Sequence, residues 1–273
     1  MRDTISSQTA RFEFGENWRR FLDTLNDDRL LSAEHSLQTM LGVASLSGKT
    51  FLDVGSGSGL FSLAAMRLGA DRVHSFDYDL ASVNCTRELN RRFFPDDGRW
   101  TIERGDILDS SYVDTLGGWD VIYSWGVLHH TGNMWQAISN VAGLAQSGSR
   151  VFISIYNDQG GKSRRWTRVK RVYNTGPVGR AAVLGTFVPA FAASQLMYDV
   201  VLRNNPLDTY RDYQQARGMS RVHDWVDWLG GYPFEVASPE QIFTVFRDRG
   251  FSLEELKTCG GGLGCNEFLF RKD

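Results

Sequence analysis

Three observations predict an α/β fold built on a doubly wound parallel sheet. From about residue 50, short apolar runs alternate with amphipathic helical stretches. A glycine-rich turn, Gly55-Ser56-Gly57-Ser58-Gly59, separates the first run from the first of those helices, and the runs themselves are nearly continuous in apolar residues. Strands buried on both faces read this way, and alternating strand–helix units close into a parallel sheet covered by helices on both sides. At 273 residues and 42% hydrophobic, the chain is long enough to bury such a core.

The elements follow in order. Residues 1–47 read as a helical N-terminal extension, with Trp18, Phe21, Leu22 and Leu25 at helical spacing. Thr50–Val54 is the first strand, Leu60–Leu68 a helix closed by Gly69, and Arg72–Phe76 the second strand. Trp100–Arg104, Val121–Trp125 and Arg150–Tyr156 follow as strands, with a helix over Asn133–Ala145. There the alternation stops: residues 158–234 are basic at the start, apolar in the middle and tryptophan-rich at the end, and read as an insertion. The pattern resumes at Ser238-Pro239-Glu240, where serine suits a helix cap and proline the first helical position. That helix runs to Arg249, and Phe251–Lys257 and Glu267–Phe270 supply two last strands joined through the Cys259–Cys265 turn. The expected organisation is a core of 48–157 and 235–273, a cap of 1–47 and an inserted helical lid of 158–234.

Composition narrows the function. With 30 Lys+Arg against 32 Asp+Glu, a formal charge of -2, the chain does not hold nucleic acid through bulk charge. Cys85, Cys259 and Cys265 make neither a disulfide framework nor a zinc-finger spacing, so no metal is expected. Met1–Ala10 has no apolar stretch of the secretory kind, and a cytoplasmic protein is expected. Ala181–Val201 is apolar and about as long as a spanning helix, but it carries Pro189, Ser194, Gln195 and Asp199. It reads as a buried helix pair broken near Pro189, without a membrane span; a surface for a lipid-like substrate is the other reading. Six cations fall between Lys162 and Arg171; the plain reading is an amphipathic helix with a solvated basic face, and an acidic or phosphorylated small acceptor also fits. A homo-oligomer is compatible with all of this.

The chemistry concentrates at strand ends. Asp53-Val54-Gly55-Ser56-Gly57-Ser58-Gly59 follows a strand and precedes a helix, the context in which bare main chain approaches a ligand. Its spacing differs from the dinucleotide fingerprint, and Asp53 would repel phosphate while suiting a cationic amine. Asp77 lies 24 positions after Asp53 at the end of the second strand, where a carboxylate can accept ribose hydroxyls; Asp79 competes for that role, and one of the two is expected to cap the next helix. After the third strand, Asp106 can take an adenine amino group while Ile107 lies against the ring. His129 and His130 can deprotonate an acceptor near neutral pH, and as neighbours they are expected to point different ways. Tyr156 and Asn157 end the fifth strand, where ligands of open α/β sheets bind. Trp18, Trp125, Tyr156 and Tyr173 are candidates for an aromatic wall around a cation, with core packing the plainer reading for each.

Residues 50–157 and 238–270 resemble class I S-adenosylmethionine-dependent methyltransferases: the DVGSGSG turn, the Asp77 acid, Gly105-Asp106-Ile107 and the segment Ser124-Trp125-Gly126-Val127-Leu128-His129-His130. The last segment is similar to small-molecule methyltransferases of the ubiquinone-biosynthesis type. The resemblance implies a Rossmann-like seven-stranded sheet of order 3-2-1-4-5-7-6 with the last strand antiparallel, and S-adenosyl-L-methionine as cofactor. It implies that Gly55, Ser56, Gly57 and Gly59 line the methionine part, that Asp77 with neighbouring Tyr78 meets the ribose, and that Asp106 meets the adenine. Ser124 and Trp125 would approach from the other side. The expected activity is methyl transfer to a small molecule. The alternatives are acceptor-free cyclisation of the cofactor to azetidine-2-carboxylate with release of methylthioadenosine, and a non-catalytic sensor of the cofactor.

Overall fold

The structure, a computed structural model, describes Leu22 and residues 25–95, 97–202, 205 and 221–273. Seven strands form one sheet: β1 (Thr50–Val54), β2 (Arg72–Asp77), β3 (Trp100–Arg104), β4 (Trp119–Trp125), β5 (Ala145–Tyr156), β6 (Phe251–Lys257) and β7 (Cys265–Lys272). Their order is β3-β2-β1-β4-β5-β7-β6, as the resemblance implies. β1 to β5 pair in parallel, and β7 runs antiparallel to both β5 and β6.

Successive side chains of a strand point to opposite faces, and here both faces are buried. Leu52, Ile122, Ile153 and Phe270 point into one cluster. Its helices are α5 (Met134–Gly143) and α9 (Pro239–Arg247), through Ile138 and Phe246. Phe51, Val121, Phe152 and Leu269 point into the other. There they meet α1 (Asp27–Leu41) and α2 (Leu60–Arg67) through Leu37 and Leu63, and α3 (Leu80–Phe93) through Leu89. A short helix α4 (Ser110–Leu116) follows β3. Each such side chain contributes about 1.5–3 kcal/mol on burial. Ser238 caps α9 and Gln241 reciprocates, the capping box read from the sequence.

β5 begins five residues earlier than the apolar run suggests, because Gln146–Ser149 is polar yet tied down. Ser149 Oγ donates to the Trp119 carbonyl at 2.6 Å, and Ala145 pairs Trp119 across a register shift. The helix expected up to Ala145 accordingly stops at Gly143.

Residues Gly160–Glu235 form a compact unit separate from that core. It comprises α6 (Gly161–Tyr173), α7 (Pro177–Val201) and α8 (Arg221–Gly230). Tyr173, Val183 and Leu229 make its small core with Trp166, Phe187, Phe191 and Trp228 packed on them. Two expectations need correction. Ala181–Val201 is not a buried pair broken at Pro189: it lies within one 25-residue helix, most of it exposed. Proline takes an N–H from the helix, but the carbonyl left over, on Gly185, belongs to an exposed residue. Nor is the basic face of α6 wholly solvated. Lys170 is fully buried; its Nζ donates to the Trp228 carbonyl and sits 4.4 Å and 4.9 Å from the rings of Trp228 and Phe234. Burial pushes its ammonium down to about 7.

Candidate active site

The parallel strands β1 to β5 end along one edge of the sheet, and the order reverses between β1 and β4, where ligands of open α/β sheets bind. The glycine turn leaves β1 at this point. Gly55, Gly57 and Gly59 have φ of 78°, 54° and 80°, a region closed to most side chains. A Cβ on Gly55 would run into the Val127 side chain after β4, and one on Gly59 would stand 2.8 Å from Thr86 Cα on α3. The amides of Gly55 and Ser56 donate to the Phe76 carbonyl at 2.9 and 3.1 Å, and Ser56 Oγ meets Thr86 Oγ1 at 3.0 Å.

Two carboxylates lie beneath this turn. Asp53 is 2% exposed and accepts from Ser62 Oγ. Ser62 in turn accepts from Ser75 Oγ at 2.7 Å, and Ser75 from Trp100 Nε1 at 2.8 Å. Burial pushes Asp53 up to about 7 against the pull of the Ser62 hydroxyl, and nearby Asp77 raises it further. Asp77 accepts the Gly57 amide on one oxygen and the Asp79 amide on the other, both at 2.9 Å; burial pushes it up to about 6. Asp79 caps α3 through the Ala81 amide at 2.9 Å, so of the two acids it is the cap.

The ends of β2 and β3 meet where Gly105 N donates to the Asp77 carbonyl at 3.1 Å. Half-buried Asp106 accepts the Leu108 amide at 2.9 Å, and Ile107 is buried. Tyr78 is exposed, with the Arg104 guanidinium 5.5 Å from its ring. Ser124 is fully buried and donates to the Val54 carbonyl at 3.0 Å, tying β4 to the start of the turn. Trp125 is half-exposed, its Nε1 held by Glu267 of β7 at 3.1 Å. Trp18 lies outside the described residues.

His129 and His130 sit on a 3-10 turn over Leu128–His130. They do not diverge as expected: their ring centroids are 4.5 Å apart, and both meet Tyr156, at 4.2 and 5.7 Å. On a 3-10 turn successive side chains step about 120° around the axis, far less than across a strand. His129 is fully buried and His130 partly exposed. Burial holds the Tyr156 hydroxyl well above the usual phenol range. Asn157 does not face this trio through its amide: its Oδ1 accepts from Asn266 Nδ2 at 3.1 Å, and its N–H donates to the Gly264 carbonyl at 3.0 Å. Tyr173 belongs to the core of the 160–235 unit.

The donor set fits S-adenosylmethionine, with its ammonium, sulfonium and ribose, and not a phosphate. No lysine or arginine falls between Asp53 and Leu60, and the two acids beneath the turn, Asp53 buried and Asp77 half-buried, favour a cation. Sequence reasoning missed Ser62, Ser75, Thr86 and Val127; lone serines within the apolar runs of α2 and β2 were the available signal.

A family of methyltransferase domains matches residues 19–201. Among curated proteins, ribosomal protein L11 methyltransferase of Prochlorococcus marinus (strain MIT 9515) is 42% identical over 80 residues, 29% of this chain and 26% of that protein. The chain thus spans about a quarter of that relative's length. Among solved structures, magnesium protoporphyrin IX methyltransferase from Synechocystis PCC 6803, with bound S-adenosylhomocysteine, aligns at TM-score 0.56 and 16% identity, covering 94% of each chain. An N-methyltransferase from Bradyrhizobium japonicum WM9, in complex with the same compound, aligns at TM-score 0.50 and 15% identity, covering 95% of this chain and 98% of that one. At such identities these two share the fold.

Proposed function

This chain belongs to the methyltransferase-domain family, and we propose that it transfers a methyl group from S-adenosylmethionine to a small-molecule acceptor at the carboxyl ends of β4 and β5. The observation that carries the reading is the His129–His130–Tyr156 cluster on the same sheet edge as the glycine turn and its two carboxylates, buried Asp53 and half-buried Asp77. The cofactor supplies an electrophilic methyl group on a good leaving group, so positioning accounts for much of the acceleration.

Asp77 and Asp106 would hold the ribose and adenine, and Asp53 the positive end of the methionine part. Tyr156 offers an aromatic face, which attracts a sulfonium by about 0.5–2 kcal/mol. His130, the more accessible imidazole, takes the proton from an acceptor hydroxyl or amine; His129, fully buried against Tyr156, positions both rings. Asn157 acts through Asn266 to fix the end of β5. An acceptor of small size is in keeping with the fold neighbours named for magnesium protoporphyrin IX and for N-methylation.

The test is product analysis. With methyl-labelled S-adenosylmethionine and a whole-cell extract, label should enter the low-molecular-weight fraction and S-adenosylhomocysteine should form only when extract is present. Label in ribosomal proteins instead would move the acceptor to a protein. Methylthioadenosine formed without extract would replace transfer with cyclisation of the cofactor. His130→Gln should slow transfer by roughly 10²–10⁴-fold while retaining cofactor binding.

A further inference from the structure

The 160–235 unit carries a feature that methyl transfer does not use. Between residues 160 and 202 there are seven cations, Lys162, Arg164, Arg165, Arg168, Lys170, Arg171 and Arg180, and one acid, Asp199. That stretch is strongly positive in a chain whose formal charge is -2. The single acid is buried, with Gln195 donating to it at 2.9 Å, and Lys170 is buried too; the other six cations are at exposed positions.

The same stretch exposes apolar surface. α7 is 25 residues long, apolar enough by length and composition to cross a membrane, and only Val183 and Asp199 along it are buried. Its last turn and a half is the extreme case: Leu196, Met197, Tyr198, Val200, Val201 and Leu202 are 50–73% exposed. Such a contiguous surface is rare unless something covers it.

The two features occupy one end of a helical hairpin. α6 and α7 run antiparallel: the Trp166 ring meets those of Phe187 and Phe191 in tilted contacts at 5.3 and 6.4 Å, while the Arg180 guanidinium lies 5.5 Å from the Tyr173 ring near the connecting turn. Trp166 is therefore level with about residue 189. At about 1.5 Å per residue, the start of α6 is level with about residue 194, and Leu196–Leu202 project roughly 3–12 Å past it. Lys162, Arg164 and Arg165, on the first turn of α6, form a cationic collar behind an apolar tip.

We propose that this end of the hairpin docks the protein peripherally on an anionic lipid surface. The tip enters the headgroup and outer acyl region, and the collar meets the lipid phosphates. The dimensions match: interfacial helices bury their apolar face about 5–10 Å deep, and each cation near an anionic leaflet adds to the attraction. Charge complementarity selects this occupant. A second copy of the unit would bring two basic collars together, and a neutral apolar partner would leave the cations unused. Pro189, Gln195 and Asp199 within α7 favour contact with one leaflet over a span.

The test uses the full chain and sedimentation with two kinds of vesicle, phosphatidylcholine alone and phosphatidylcholine with about one third phosphatidylglycerol. Binding to the anionic vesicles only, largely reversed by high salt, is expected. Arg164→Glu with Arg165→Glu should weaken it roughly tenfold or more. Leu196→Glu with Met197→Glu should abolish it, and because all four positions are exposed, thermal unfolding should stay within about a degree or two of the parent. Equal binding to both vesicles would overturn the role of the collar. No binding, a salt- and carbonate-resistant bilayer fraction, or lipid-free dimers lost in the Leu196/Met197 variant would each overturn the proposal, the last two in favour of a span or a second copy.

Discussion

The carboxyl edge of the sheet and the 160–235 unit both bury charge, and they do so in opposite ways. At the edge, Asp53 and Asp77 are carboxylates met by several donors: a serine relay for one, two backbone amides for the other. In the inserted unit, Lys170 is a cation met by one carbonyl and two aromatic rings. Glycine shows the same contrast. Gly55 and Gly59 have no room for a methyl group, whereas Gly185 in α7 has nothing within 4 Å of where one would go. The edge is a negatively charged, crowded cradle whose specificity points inward. The inserted unit is a plain helical scaffold whose chemistry lies on its outside.

The largest effect expected from that contrast comes from the crowded glycines. Gly59→Ala forces a side chain into φ of 80° and against Thr86, at a cost of about 2–5 kcal/mol in stability, readable by chemical denaturation. Next is the carboxylate proposed for the ribose: Asp77→Ala should lower cofactor affinity by about 1.5–3 kcal/mol in calorimetry. Asp79→Ala should cost about 1 kcal/mol of stability as a lost cap, with affinity nearly unchanged. If Asp79 proved the more damaging to binding, the assignment of the two acids would be reversed.

Protonation separates the regions further. Asp53 and Asp77 are raised from 3.8 to about 7 and about 6. The folded chain therefore keeps protons that the unfolded chain has released, and each acid adds stability at low pH that is lost as pH rises through its folded value. On the proposed assignment both acids hold the cofactor in ionised form, so affinity should rise between about pH 5 and about pH 8, with proton release on binding measurable in buffers of different ionisation enthalpy. Lys170 has the opposite sign. Lowered from 10.5 to about 7, it makes the folded chain more stable as pH climbs across that interval, and Lys170→Met should remove that slope from the unfolding curve. The smallest effect closes the series: Gly185→Ala, on an open helical face, should stabilise by up to about 1 kcal/mol.

How much was legible in the sequence follows the same division. The strands and the Asp53–Gly59 turn were readable because a buried parallel strand and a positive-φ turn leave compositional marks, whereas the strand order comes from the family resemblance. The sequence favours Asp77 for the ribose with Asp79 as its competitor, since either acid can cap a helix; the hydrogen bonds make Asp79 the cap. His129 and His130 were expected to diverge because a 3-10 turn looks like a strand end in sequence. α7 was misread for a more general reason: apolar composition states that a surface avoids water, and says nothing of whether this chain or something else covers it.

The relay beneath the glycine turn has a spectroscopic consequence. Trp100 Nε1, Ser75, Ser62 and Asp53 form one directed line of hydrogen bonds, so the indole proton of a single tryptophan is linked through two hydroxyls to the carboxylate under the turn. When Asp53 ionises, both hydroxyls polarise toward it and the indole N–H lengthens with them. The Trp100 indole resonance should move downfield with a midpoint near the Asp53 value of about 7 and stay still in Ser62→Ala. The Trp100 indole proton is thus a built-in magnetic probe of the turn above Asp53.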